Sequence, residues 1–158
     1  MKKDSKRKKK YRPYKQGIYK PIHPDKCKNA GTITYRSSLE LNFMRWCDKN
    51  SRVIEWGSEN VVVPYISPID GKVHRYLVDM YVKIREKDSV RKCLIEIKPE
   101  NQTKEPTVSK RKKESTVIYE QATWAINQAK WTAAKQFAKK YNMDFLIITD
   151  TDLEKMGK

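Results

Sequence analysis

YLVDMYVKIREKDSVRKCLIEIK, residues 76–98, reads as two strands joined by a turn. Side chains alternate along an extended chain, so Val78, Met80, Val82 and Ile84 share one face of the first strand, and Leu77, Asp79, Tyr81 and Lys83 share the other. In the second strand Cys93, Ile95 and Ile97 point one way, and Leu94, Glu96 and Lys98 the other. A turn centred on Lys87-Asp88 sets Asp79 directly opposite Glu96. Two carboxylates so placed have Cβ atoms roughly 5 Å apart and repel one another. A divalent cation between them reverses that cost.

The apolar face of this strand pair needs a cover, and the residues before it supply one. SSLELNFMRWCDKN, residues 37–50, predicts a helix with Leu39, Phe43, Trp46 and Cys47 on its buried stripe. Ser37 and Glu40 have the spacing of a capping box, in which the glutamate bonds back to the N-cap amide. Val53–Trp56 and Val61–Tyr65 read as strand segments separated by Gly57, with Pro64 marking a sheet edge or a strand end. Ser67–Gly71 reads as a turn, Asp70-Gly71 supplying the positive φ of a tight reversal.

After the pair, residues 99–114 show no hydrophobic period and predict an exposed loop that ends in the basic cluster Lys110, Arg111, Lys112 and Lys113. A long helix is expected over residues 115–141, with Ile118, Ala122, Ala125, Ala129, Ala133 and Phe137 on its packed stripe. Phe145–Ile148 predicts a last strand, and Asp150–Glu154 a terminal helical turn. The element order predicts an α/β (α+β) fold: a central mixed sheet flanked by helices, the last strand parallel to its neighbour across the long helix.

The 158 residues suit one domain, and the formal charge of +16 is unevenly spread. Residues 1–30 hold 12 Lys/Arg against 2 Asp/Glu, which sets off a basic, flexible N-terminal arm from a domain over residues 31–158. Lys6, Arg7, Lys8, Lys9, Lys10 and Arg12 in this arm, together with the 110–113 cluster, point to a polyanionic partner. Nucleic acid is favoured over a membrane surface because the arm has no amphipathic apolar stripe. Cys27, Cys47 and Cys93 form no CxxC pair, so neither a disulfide framework nor a zinc site is expected. No apolar run approaches the ~18 residues of a membrane span, and nothing after MKKDSKRKKK resembles a signal peptide; an intracellular protein is expected.

Asp79, Glu96 and Lys98 have the spacing D-x16-E-x-K, with the second acid and the lysine on one strand face. Hard oxygen ligands select Mg²⁺ or Mn²⁺, which bind through one or two carboxylates together with substrate phosphate. Lys98 then stands where it can orient or deprotonate an attacking water, or hold a phosphate. Read without a metal, the same residues are a solvated sheet face balanced by Arg75, Lys83 and Lys98.

Glu40 on a helix, Asp79 on a strand and Glu96-Ile97-Lys98 on the next strand resemble the PD-(D/E)xK nuclease superfamily. Across residues 32–150 the stretches YRSSLELNFMRWCDKN, VIEWGSENVVVPY, GKVHRYLVDMYV and CLIEIKPENQT are similar to the head-completion nucleases of T-even-type tailed bacteriophages. More distantly they resemble the end-cleaving endonuclease subunit of certain bacterial transposons. Val78 stands where the superfamily often has proline. The resemblance implies a restriction-endonuclease-like core and a Mg²⁺-dependent DNA endonuclease that acts on double-stranded DNA in phage head completion, after packaging. It implies metal ligation by Asp79, Glu96 and the Ile97 carbonyl, a water or second ion held by Glu40, a catalytic Lys98, and supporting polar groups at Gln102, Asn127 and Lys130. It further implies portal or head-tail connector proteins as partners, a monomer or transient dimer, and a place in the host cytoplasm during assembly or in the virion. The alternatives from other classes are a DNA- and portal-binding structural component with little catalysis, a transposon-type end-cleaving endonuclease, and a basic nucleic-acid-binding module without a metal site.

Overall fold

The computed structural model describes residues 16–157. Its centre is a four-stranded mixed sheet built from β3 (Val53–Ser58), β6 (Met80–Arg85), β7 (Val90–Ile97) and β8 (Asp144–Ile148), in that spatial order. β3 and β7 run antiparallel to β6, and β8 runs parallel to β7. Two two-stranded sheets flank it: β1 (Gly17–Tyr19) with β2 (Ile33–Tyr35), and β4 (Val62–Ile66) with β5 (Val73–Leu77). The helices are α1 (Ser38–Lys49), α2 (Glu114–Lys140) and α3 (Asp150–Met156). None of the described helices is long and apolar enough to cross a membrane.

The hairpin between β6 and β7 has the expected register, from Met80 opposite Ile95 to Arg85 opposite Val90. Its turn closes through the Glu86 N–H donating to the Ser89 carbonyl at 2.8 Å, around Lys87-Asp88. β7 is buried on both faces. Cys93, Ile95 and Ile97 pack with Phe43, Met44 and Cys47 of α1 in one core, and Leu94 packs with Val63, Tyr76, Val78, Ala134 and Ala138 of the opposite layer in a second. A helix therefore covers each face of the sheet, which a central strand needs. The 67–71 turn forms as expected, with Gly71 at φ 69°, and Pro64 lies in a two-stranded sheet where both strands are edges.

Three expectations are corrected. Residues 76–84 are not one strand: the chain leaves β5 after Leu77, and Val78 and Asp79 form a break before β6 starts at Met80. The reason is a change of partner, since the Val78 N–H donates to the Val61 carbonyl at 3.1 Å beside β4 rather than to β7. On α2 the expected Ala129, Ala133 and Phe137 do pack against the core, but its fully buried residues are Trp131, Ala134 and Ala138, which the expected stripe omitted, and Ile118 is exposed. Trp131 is the largest buried side chain of the helix and lies edge-on to Trp124.

Residues 16–30, grouped with the arm by composition, are built into the domain. Asp48 of α1 is 0% exposed and accepts from the Tyr19 hydroxyl at 2.5 Å, the Ile22 N–H at 2.6 Å and the His23 N–H at 3.0 Å. Lys26 donates to the carbonyls of Asp48 and Asn50 at the helix C-terminus, where a cation is favoured. Beyond it the Lys28 N–H donates to the Trp56 carbonyl, and Asn29 and Ser58 exchange a reciprocal pair of hydrogen bonds at 2.8 Å. The segment thus covers the otherwise open edge of β3. Lys6 to Arg12 lie outside the described residues.

Candidate active site

The break between β5 and β6 makes the site. Beyond Met80 the first strand no longer offers β7 a backbone acceptor, and the Asp79 carboxylate takes that place: its Oδ2 accepts from the Ile97 N–H at 2.8 Å. The Asp79 carbonyl in turn accepts from the Glu59 N–H at 3.0 Å. Asp79 is thereby fixed at both ends, one residue along β7 from Glu96. Burial, followed by the charge of Glu96 and that of Glu40, pushes its carboxyl well above the usual carboxylate range, against the Ile97 amide and Lys98.

Glu96 is buried, at 4% exposure, and both its oxygens are held. Oε2 accepts from the Tyr76 hydroxyl, and Oε1 lies 3.2 Å from the Lys98 ammonium. Tyr76 comes from β5, so the strand switch that frees Asp79 also brings in the residue that orients Glu96. Burial and the charge of Glu96 hold the Tyr76 phenol well above its ordinary value, so it remains a donor. Lys130 of α2 stands over this ring, 5.4 Å from its centroid, and 5.7 Å from that of Tyr65. Lys98 is held along β8 by its N–H, which donates to the Ile148 carbonyl at 3.1 Å, and its side chain is a quarter exposed.

Glu40 sits at the first turn of α1 as a cap. The Ser37 Oγ accepts from the Glu40 N–H at 3.1 Å, while the Glu40 carboxylate accepts from the Arg36 N–H at 2.9 Å. The returning bond goes to the residue before the N-cap rather than to the N-cap amide itself. Among the described residues no three His, Cys, Asp or Glu side chains converge closely enough to hold a metal ion. The expected grouping of Glu40 with Asp79 and Glu96 is therefore not closed, because the Glu40 carboxylate is occupied at its own helix end. Burial still raises the Glu40 carboxyl, with Glu59 adding to the effect, and its charge reaches Asp79.

Of the supporting residues, Lys130 reaches the site through Tyr76. Gln102 and Asn127 instead line a separate open cleft of about 1020 Å³ between the 100–107 segment and α2. In the basic cluster Lys110, Arg111 and Lys113 are exposed, whereas Lys112 is committed to Glu120 at 2.7 Å. Tyr76, Arg36 and Glu59 were not singled out by sequence reasoning. Tyr76 carried no signal, since alternation puts it on the face of Val78 and Met80, away from Asp79, and only the strand switch turns it to Glu96. Arg36 and Glu59 meet only through the fold, 23 positions apart in sequence.

The donor set fits a hard divalent cation. One carboxylate stands at the strand break and the other on β7, the charge of Glu96 raises the proton affinity of Asp79, and Lys98 is the cation beside them. Extra positive charge between Asp79 and Glu96 removes their repulsion and is met by oxygen donors. A mixed sheet with a helix on either face, and this acid pair with a lysine at a strand switch, define a nuclease-type domain with a restriction-endonuclease-like core. Residues 50–150 match the family described as TnsA-like endonuclease N terminal. The chain is also 39% identical over 131 residues to the head completion nuclease of Enterobacteria phage T4, an alignment spanning 79% of this chain and 83% of that protein. The chain belongs to the TnsA-like endonuclease family.

Proposed function

We propose that the protein is a Mg²⁺- or Mn²⁺-dependent endonuclease that hydrolyses phosphodiester bonds of double-stranded DNA during phage head completion, after the genome is packaged. The observation that carries this reading is the fixed Asp79–Glu96–Lys98 arrangement at the break between β5 and β6. The family and the relative's name support an endonuclease and head completion. The host cytoplasm during assembly, and portal or head-tail connector proteins as neighbours, follow as parts of the same proposal.

Asp79 and Glu96 would hold the cation, with the Ile97 carbonyl as a further oxygen ligand. When bound, the cation lowers the pKa of a water and neutralises charge on the phosphate and the leaving 3′ oxygen. Tyr76 fixes Glu96 in the orientation this needs, and the Ile97 N–H does the same for Asp79. Lys98 orients the attacking water and donates to the phosphate oxygens as charge builds on them. Glu40, whose charge reaches Asp79 from the helix cap, would hold a water on the cation or a second ion.

The test is nicking of supercoiled plasmid with Mg²⁺ or Mn²⁺. The wild-type chain should nick, chelation should stop it, and Asp79→Ala, Glu96→Ala and Lys98→Ala should each slow it by about a hundredfold or more. Equal rates in all four proteins would end the proposal.

A further inference from the structure

Next to the acid pair lies a second, smaller cleft of about 320 Å³, lined chiefly by polar groups from Gln16, Asn29, Thr32, Thr34, Arg36 and Glu59. Two of its lining residues are tied to the candidate active site by hydrogen bonds. The Glu59 backbone is bonded to Asp79, and the Arg36 backbone is bonded to the Glu40 carboxylate. The Arg36 guanidinium spans the two, its Nε 3.0 Å and its Nη2 3.3 Å from the two Glu59 carboxylate oxygens, with its side chain 62% exposed. Glu59 itself is held in the left-handed region, at φ 49°, which a non-glycine residue adopts only under constraint from its surroundings.

A planar guanidinium forked onto a carboxylate presents the same geometry it would present to a phosphate. Gln16, on the wall of the cleft, immediately follows residues 1–15, which carry nine Lys/Arg against one Asp. A polar cleft with a forked arginine, joined to an acid pair on one side and to a basic segment in sequence on the other, matches a nucleic-acid strand running past the point of cleavage.

We propose that this cleft holds the phosphodiester backbone next to the scissile bond, Arg36 gripping one phosphate and Glu59 occupying the arginine fork until DNA arrives. The inference rests on the nuclease reading above. It makes Arg36 a substrate-binding residue and Glu59 its competitor, so removing the two charges has opposite effects on DNA affinity. A merely structural ion pair would respond in the same direction to loss of either partner.

The experiment compares full-length wild type, Arg36→Ala, Arg36→Lys and Glu59→Gln. Binding of a fluorescent duplex is followed by anisotropy, and Mg²⁺-supported cleavage gives KM and kcat. Arg36→Ala should weaken binding and raise KM by about tenfold or more with little change in kcat. Arg36→Lys should recover part of the loss, and Glu59→Gln should tighten binding several-fold. Wild-type KM in all variants, or weaker binding in both Arg36→Ala and Glu59→Gln, would overturn the inference. A wild-type chain that neither binds nor cuts DNA would instead overturn the nuclease reading, and this inference with it.

Discussion

Asp79 serves two purposes that conflict energetically. Its Oδ2 satisfies the Ile97 N–H that the strand break leaves open, yet burial and the charge of Glu96 disfavour its ionised form. Because its folded pKa lies above its unfolded value of roughly 3.9, stability falls as pH rises from that value through the folded one. At neutral pH, well above the unfolded value, burying this carboxyl therefore costs the metal-free fold stability. Asp79→Asn keeps an acceptor for Ile97 and removes the charge. It should raise metal-free stability at pH 7–8 by on the order of 2 kcal/mol, and the gain should vanish near pH 4. Thermal melts over pH check this, and added Mg²⁺ should raise the melting temperature of wild type but hardly that of the variant. A variant less stable than wild type at pH 8 would show that the carboxylate is structurally favourable instead.

Among the elements, α1 depends on the N-terminal segment through Asp48. Burial alone would raise the Asp48 carboxyl, but bonds from Tyr19, Ile22 and His23 outweigh it and hold the carboxyl below its ordinary value. A depressed folded pKa gives stability that is present above the unfolded value and is lost as pH falls through the folded one. Asp48→Ala should thus cost about 2–3 kcal/mol at pH 7, and the gap to wild type should close below about pH 4 in denaturant titrations. A gap that persists unchanged at acid pH would assign the cost to packing. This anchoring was not legible in the sequence, where Asp48 lies off the predicted apolar stripe of α1 and its partners lie in a stretch whose composition reads as arm. The 86–89 turn and the register of β6 on β7 were legible, because strict alternation leaves one pairing that buries both faces. The break at Val78 was not. Alternation continues unbroken through residues 76–84, and only the competing partner Val61, 17 positions earlier, reveals the switch. The acid pair and its lysine could be read from spacing, whereas Tyr76, Arg36 and Glu59 join the site through tertiary interactions that spacing does not encode.

At the scale of the molecule, the described domain positions the acid pair and the basic segment supplies charge. Residues 1–15 precede the first packed residues, so a deletion that tests the segment should end at residue 15 and leave Tyr19, Ile22 and His23 on Asp48. Removing nine Lys/Arg should weaken duplex binding most at low salt and flatten the slope of log K against log salt by about 0.9 for each phosphate no longer neutralised. An unchanged slope would assign the segment to a protein partner. For the proposed metal-dependent activity, the most direct measurement is the plasmid-nicking rate of Asp79→Asn in Mg²⁺, taken alongside its thermal stability. The expected result is a protein at least as stable as wild type that nicks about a hundredfold more slowly or worse. A stable Asp79→Asn protein that nicks at the wild-type rate would contradict the assignment of Asp79 to the metal site.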